Sequence, residues 1–320
     1  MKNRVYGVAA IKSIMSNWNA DFTGMPKTTS TGAIFGSDKA FKYPMKKMWE
    51  NEGEKVLYLK SYIIQSEEKK EEKSKLQPRN LKERYEKIFA PDILENAKSD
   101  DVLKNLFSAV DVMNFGATFA EAKQNISITG AVQIGQGYNK YQDTIVETQD
   151  ILSPFRNSKK DEADASSLGT KIMVDEAHYF YPFSIIPDNY NEYIGIVDGF
   201  TGYTKEAYHK FKRACCLGAT AIGTNSKAGC ENEFALFIEC KDESKIYMPN
   251  LDSYIDFEKK NGKNRIKMNR LCTLIKDFTN AIAKIEIYIN PLEIEVEESL
   301  ETLGCEFEMK NIFTLENLNK

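Results

Sequence analysis

Four lysines on one predicted helix have the residue type and spacing best suited to binding an anionic ligand. Lys39, Lys42 and Lys46 recur at i, i+3 and i+7, which brings them to one helix face, and Lys47 lies beside them. Such a row of ammonium groups suits the phosphates of a nucleic acid, because each contact releases condensed counterions. An ordinary solvated helix face would show the same pattern, so these residues alone leave both interpretations open.

Two loops supply further candidates for binding or catalysis. Residues 223–229 combine small side chains, which let a ligand approach the backbone, with Lys227, although the spacing is not that of a P-loop. A plain connection is the alternative interpretation. Asp21, in the polar loop 16–22, could act as a general base or a Mg²⁺ ligand. Because no second carboxylate or histidine is close in sequence, we favour a turn-forming aspartate.

The remaining residues of catalytic type form no recognisable motif. His178 lies in a predicted strand and His209 on a predicted helix, and neither is near a nucleophile motif. The six cysteines include no C-x-x-C pair and no zinc-type spacing with histidine. We therefore expect no metal, no cofactor and no catalytic residue, and we expect the cysteines to be small buried apolar residues.

Strands and helices alternate along the chain in a pattern that predicts an α+β fold. A buried strand over 4–15 is followed by a long loop over 16–36 and a helix from Ser37, in which Pro44 should cause a kink or a later start. With insertions removed, the order is strand, helix, strand, strand, helix, strand, which is ferredoxin-like and shared by RNA-recognition modules. The other predicted strands are 55–64, 126–134, 178–186, 233–240 and 284–289, and the other predicted helices are 80–89, 99–113, 204–217 and 266–282.

Composition and charge bound the class of protein. The 320 residues are 42% hydrophobic and 28% charged, and no apolar run is long enough to span a membrane, so we expect a cytoplasmic globular protein. The formal charge of −4 hides an asymmetry, because residues 285–320 hold nine acids against two lysines. Residues 1–60 hold ten Lys or Arg against five acids. Overall acidity therefore does not exclude an anionic ligand at the basic end of the chain.

The order of several short segments resembles the RNA-binding backbone subunit of type I CRISPR surveillance complexes (Cascade), closest to subtype I-B. The resemblance is carried by the opening strand and polar loop (5–21), by Gly-Ala-Val-Gln at 130–133, and by 167–174 followed by Tyr-Phe-Tyr-Pro-Phe at 179–183. It covers most of residues 1–245. The opening loop departs from the family pattern by lacking a proline-glycine-aspartate sequence, and Pro44 interrupts the helix.

This resemblance implies a ferredoxin-like or RRM-like palm with a helical fingers insert and a projecting β-hairpin thumb. On this expectation residues 1–64, 123–140 and 177–290 form the palm. Residues 65–122 form the fingers and 141–176 the thumb, and 291–320 are an acidic C-terminal segment.

The resemblance also implies a function in antiviral defence. Copies of the chain would stack in a filament along one CRISPR RNA, together with other Cascade subunits, and would present that guide for pairing with target DNA. The residues implied to contact RNA are Ser37, Lys39, Lys42, Lys46, Lys47, Gln133, Lys171 and Lys227, with Leu168 and Met173 as apolar thumb contacts. The alternative is a backbone RNase like that of type III complexes, cleaving target RNA with Asp21. A metabolic enzyme or small-ligand binder on the same core is a third, less favoured class.

Overall fold

A computed structural model describes residues 1–66, 74–152, 168–297 and 300–318. The strands are β1 (Val5–Ser16), β2 (Phe35–Gly36), β3 (Tyr62–Ser66), β4 (Ser74–Pro78), β5 (Gly116–Phe119), β6 (Ile126–Thr129), β7 (Val132–Ile134), β8 (Gly137–Asn139), β9 (Val146–Leu152), β10 (Leu168–Ile185), β11 (Cys230–Cys240), β12 (Asp256–Lys260), β13 (Lys263–Lys267), β14 (Ile282–Ile289), β15 (Ile294–Glu297) and β16 (Glu306–Asn311).

The α-helices are α1 (Asp38–Asn51), α2 (Leu81–Ile88), α3 (Ser99–Ser108), α4 (Val110–Phe115), α5 (Lys205–Leu217) and α6 (Asn269–Lys276). Short 3₁₀ helices cover Pro187–Tyr193, Leu251–Tyr254, Thr279–Ala281 and Leu300–Leu303. In the part of the chain that the structure describes, no helix is long and apolar enough to cross a membrane.

A large mixed sheet organises the fold. Within the described ranges it contains nine strands, in the order β16-β14-β11-β1-β10-β8-β2, with β7 and β9 also pairing with β10. The β14–β16 pair is parallel, whereas β1 is antiparallel to both β10 and β11. The predicted α+β class is confirmed.

Both faces of this sheet are covered. Side chains of β1 alternate between two apolar clusters, so that Ala9 packs with α1 and α5 while Val8 packs with the C-terminal elements. On the first face, Phe41 of α1 stacks on Tyr181 of β10 with ring centroids 4.6 Å apart. Glycine is required where Tyr181 lies against β2, because a Cβ on Gly36 would lie 1.9 Å from the tyrosine oxygen.

The predicted second strand, 55–64, is wrong over most of its length. The backbone amides of Leu57 and Tyr58 donate to the buried carboxylate of Asp111 (2.8 and 2.9 Å), so a side chain takes the place of a strand partner. Only β3 at its end is extended, and β3 pairs with β4 outside the main sheet. The strands next to β10 are instead β7 and β8.

Other boundaries differ where tertiary contacts override local pattern. The predicted helix 99–113 breaks at Ala109, which is extended. The predicted helix 266–282 shortens to α6 because its first residues belong to β13, which pairs with β12 and β15. The predicted strand 126–134 divides at Gly130, which packs against the backbone of Phe115. The start of α1 is not delayed by Pro44, since Ser37 caps the helix directly before Asp38.

The acidic C-terminal segment is folded onto the sheet, not a solvated tail. Strand β16 pairs with β14, and β15 pairs with β13. Its carboxylates meet lysines of the sheet, with Glu308 lying 2.9 Å from Lys284 of β14 and 2.7 Å from Lys310 of β16 itself. The local charge of this segment is therefore largely compensated within the chain.

Candidate functional site

The lysine face of α1 borders a groove of about 640 Å³. Strand β5 and the segment before β3 form the opposite wall, because the turn that Asp111 holds brings Tyr58 towards the helix. The hydroxyl of Tyr58 donates to the carbonyl of Thr118 (2.6 Å) and so ties the two parts of that wall together. The lining residues are Asp38, Lys39, Lys42, Tyr43, Lys46, Tyr58, Phe115, Gly116, Ala117, Thr118 and Ile128.

Two lysines present their charge to this groove. Lys39 is exposed, and Lys42 pairs with Asp38 one turn earlier (Nζ–Oδ2 2.9 Å) while its ammonium lies 5.2 Å from the Phe115 ring centroid. Burial opposes ionisation of Asp38, but the hydrogen bond and charge of Lys42, together with hydrogen bonds from the Lys39 amide and the Gln136 side chain, outweigh burial and lower the carboxyl pKa. A groove that combines cations with aromatic rings can hold both phosphates and bases of a nucleic acid.

Lys46 has a different environment from its neighbours on the helix. Its side chain is 15% exposed, and its ammonium lies 3.4 Å from the fully buried Asp111. Burial lowers the Lys46 pKa, although the charge of Asp111 opposes this effect. Lys46 therefore lines the groove with Lys39 while it neutralises the carboxylate that holds the 57–58 turn, and its contact with RNA stays a prediction.

Lys47 lies on the other side of α1, in a second groove of about 590 Å³. Its ammonium is 2.8 Å from Glu50, which also accepts a hydrogen bond from the buried Arg84. Three lysines that the sequence reasoning missed, Lys55, Lys60 and Lys87, line the same groove. They lie outside α1, so helical spacing could not have grouped them with the α1 lysines.

Ser37 and Lys227 both fix a turn formed by residues 17–26, which we call the 17–26 turn. The Ser37 hydroxyl caps α1, and its amide donates to Asn19 Oδ1 (2.8 Å). The Lys227 ammonium donates to the carbonyls of Asn17 (2.7 Å) and Trp18. Burial lowers the Lys227 pKa. Lys227 thus holds backbone carbonyls in this structure, and direct support of a phosphate would require it to leave them.

Asp21 stabilises the same turn. Its Oδ1 accepts hydrogen bonds from the Thr23 amide (2.8 Å), the Thr23 hydroxyl (2.7 Å) and the Met25 amide (3.1 Å). The Thr23 hydroxyl has the largest effect in lowering the Asp21 pKa. These contacts are those of a turn-forming aspartate, in agreement with the interpretation that the sequence favours. Within the described ranges, no group of three or more His, Cys, Asp or Glu could hold a metal ion.

The 18-residue strand β10 extends beyond the sheet and pairs with β9 as a hairpin, where three predicted contacts lie. Leu168 pairs with Leu152 at the outer end, and Lys171 pairs with Gln149 and is partly exposed. Met173 is 2% exposed, so its side chain has no face available to a base. Part of the predicted thumb, residues 153–167, and residues 67–73 of the predicted fingers lie outside the described residues.

Gln133 lies on β7, away from this hairpin. It is exposed, and its amide donates to the carbonyl of Gly130 (2.7 Å). Its amide oxygen and one amide hydrogen thus face solvent beside β10, where a polar ligand could reach them.

A buried ionic cluster fixes the base of the hairpin. His178 Nδ1 lies 2.8 Å from Glu233, its Nε2 lies 3.1 Å from Glu176, and its ring stacks on Phe257. With a carboxylate at each ring nitrogen, the imidazole donates from both and is cationic. Burial opposes this charge, but Glu233 and Glu176 outweigh burial and raise the His178 pKa to about 9. No local pattern reports this cluster, because Glu233 comes from β11, 55 residues after His178 of β10.

Comparison with protein families identifies the chain. Residues 3–276 match the model of the family described as "CRISPR-associated protein Cas7". The chain belongs to the Cas7 family. The match extends beyond residue 245, where the region covered by the resemblance in the sequence ends.

Solved structures resemble the chain over nearly its whole length. A chain of a "CRISPR RNA-guided surveillance complex, pre-nicking" is 14% identical, with a TM-score of 0.54 and 98% of each chain covered. A chain of a "CRISPR RNA-guided surveillance complex" is 16% identical, with a TM-score of 0.47 and 94% of each chain covered. Comparison with curated protein sequences gives no match. At such identity the first likeness shows a shared fold, and the family assignment rests on the sequence match.

Proposed function

We propose that this Cas7-family chain is a non-catalytic CRISPR-RNA-binding backbone subunit of a type I surveillance complex, closest to subtype I-B. The observation that carries the proposal is the groove on α1, which Lys39 and Lys42 line together with aromatic residues in a chain of this family. The lysines would bind phosphates of the guide RNA whatever the sequence of that RNA, and base pairing between guide and target DNA would supply specificity.

We propose that the chain has the palm, fingers and thumb that the resemblance implies. The palm is ferredoxin-like or RRM-like, and its support is the strand order β11-β1-β10-β8 with α1 and α5 on one face. Residues 1–64, 123–140 and 177–290 would form this palm. The fingers insert would be 65–122, which contains β4, α2, α3, α4 and β5, and the thumb would be 141–176, which contains the β9–β10 hairpin.

Several copies would stack along one guide RNA, alongside other subunits of the complex. The hairpin of each copy would press against the RNA at a regular interval, with Leu168 as the remaining candidate for the apolar contact and with Lys171 and Gln133 beside the groove. A strand held in this way leaves short runs of bases free to pair.

The non-catalytic part of the proposal is supported by the turn role of Asp21. The carboxylate oxygen that accepts three hydrogen bonds in its own turn is not free to take a proton from a ribose hydroxyl. The alternative is a type III-like RNase that uses Asp21 through its second oxygen. It predicts regularly spaced cleavage of a target RNA.

Co-expression with a CRISPR array tests the proposal. The purified protein should carry RNA, seen as a raised ratio of absorbance at 260 to 280 nm, and sequencing should identify the RNA as guide. A small-ligand enzyme on the same core would purify without nucleic acid. Protein free of RNA, both alone and with its partner subunits, would contradict the proposal.

A further inference from the structure

Phe22 is the most exposed large apolar side chain among the described residues, with an exposed fraction of 111%. It lies at the tip of the 17–26 turn, and Met15 and Met25 nearby are 46% and 40% exposed. Single exposed apolar residues are common on protein surfaces, so exposure alone indicates nothing. The backbone that carries Phe22, however, is held in place on all sides.

Two sets of hydrogen bonds and one glycine conformation restrain the turn. Asp21 Oδ1 accepts hydrogen bonds from the amides of Thr23 and Met25, and the Asp21 amide donates to the Met25 carbonyl (2.8 Å). The Lys227 ammonium holds the carbonyls at the start of the turn. Gly24 adopts φ +88°, a conformation that glycine accepts without strain. The chain therefore fixes the backbone that carries an exposed aromatic ring, and this ring is not part of either apolar cluster in the described residues.

The turn is bonded to both elements that we propose hold RNA. Asn19 accepts from the amide of Ser37, which caps the lysine helix α1. On the other side, the side-chain amide of Asn17 donates to the carbonyl of Ile172 in the β9–β10 hairpin (3.2 Å) and to the carbonyl of Gly24 (2.9 Å). Phe22 thus lies between the lysine helix and the hairpin, and Lys171 is adjacent to Ile172 in the chain.

We propose that Phe22 stacks on a nucleobase of the RNA bound between α1 and the hairpin. A phenylalanine on a restrained backbone loses little conformational entropy on binding, because only its χ1 and χ2 torsions remain to be ordered, and stacking suits every base because each base has a π-face. Phe22 would therefore set the register of the bases without reading their sequence. This inference rests on the proposed function and adds a base contact to its phosphate contacts.

The test compares Phe22→Ala and Phe22→Tyr with wild type and with Leu292→Ala, which removes another exposed side chain (85%) on the turn before β15. Binding to a short single-stranded RNA is measured as a function of salt. Phe22→Ala should weaken binding about 5- to 150-fold, the range for loss of one base–aromatic stack, with an unchanged salt slope because no phosphate contact is lost. Phe22→Tyr and Leu292→Ala should bind as wild type, and thermal melting should be unchanged in all three.

A second readout locates the base. With 2-aminopurine placed at each RNA position in turn, one position should be quenched by wild type and by Phe22→Tyr but not by Phe22→Ala. Wild-type affinity and quenching in Phe22→Ala would overturn the inference while leaving the proposed function intact. If Phe22→Ala binds the short RNA normally but loads fewer copies on a long one, Phe22 contacts a neighbouring copy and base stacking is wrong. A wild-type protein that binds no RNA would contradict both proposals.

Discussion

Removing the two groove-facing lysines should change the salt dependence of RNA binding by a predictable amount. Of the four lysines on α1, only Lys39 and Lys42 present their ammonium groups to the groove without a buried partner. Each phosphate contact on a single strand contributes about 0.7 to the slope of log K against log salt. The double variant Lys39→Ala/Lys42→Ala should therefore have a slope about 1.4 smaller in magnitude than wild type.

Fluorescence anisotropy with a labelled RNA measures this slope. For a fourfold rise in salt, a slope difference of about 1.4 means that wild type loses about 7-fold more affinity than the double variant. The matched control is Lys245→Ala/Lys276→Ala, which removes two exposed charges on the C-terminal side of the sheet and should leave the slope unchanged. Asp38→Asn should strengthen binding, because it frees Lys42 from its 2.9 Å partner. Equal slopes for wild type and the groove variant would refute the assignment of this face to phosphate.

Lys46→Ala should instead lower the free energy of unfolding by about 3 kcal/mol in urea denaturation, because it leaves Asp111 buried without its cation; a stability equal to wild type would contradict this role. Deleting 156–170 should leave thermal melting unchanged, since buried Met173 is retained, but should shorten filaments on RNA in electron micrographs, and filaments of wild-type length would count against the thumb. Assembled protein should leave guide-complementary RNA intact in Mg²⁺, and regular fragments on a gel that disappear with Asp21→Ala would favour the RNase. Because the folded-state pKa of His178 is raised to about 9, the protonated His178 stabilises the fold fully below pH 6.5, and about 3 kcal/mol of this stabilisation is lost as pH rises towards 9. The variant His178→Gln should lack this loss when its denaturation is measured across pH. A pH profile of stability identical to that of wild type would refute the cationic cluster.

Local patterns in the sequence predicted the helices that face the sheet. The apolar spacing of α1 and the caps Ser37 and Thr204 act within a few residues, so α1 and α5 begin at Asp38 and Lys205, close to the predicted positions. The prediction of a strand over 55–64 is wrong for the opposite reason. Its amides are satisfied by Asp111, more than 50 residues away, and no local pattern reports such a contact.

The candidate site shows the same division between local and distant information. Helical spacing correctly brought Lys39 and Lys42 to one groove. It could not show that Lys46, on the same face, meets Asp111, or that Lys227 donates to carbonyls in the 17–26 turn. Charge and spacing identify which lysines share a face, whereas the partner that each lysine meets depends on the tertiary fold.

The covered sheet argues for the α1 groove as the place where RNA would bind. RNA-recognition modules stack bases on aromatic residues of an open sheet face. In this chain the corresponding rings, Tyr6, Phe180 and Phe234, are at most 6% exposed beneath the C-terminal elements, and Phe180 lies 6.0 Å from Phe257 of β12. A nucleic acid could reach them only by displacing an apolar layer, at a cost of about 25 cal/mol for each Å² of apolar surface exposed. The proposed ferredoxin-like palm would therefore not use the RNA-recognition binding mode, and RNA would bind on the helix side, where Lys39 and Phe22 are exposed.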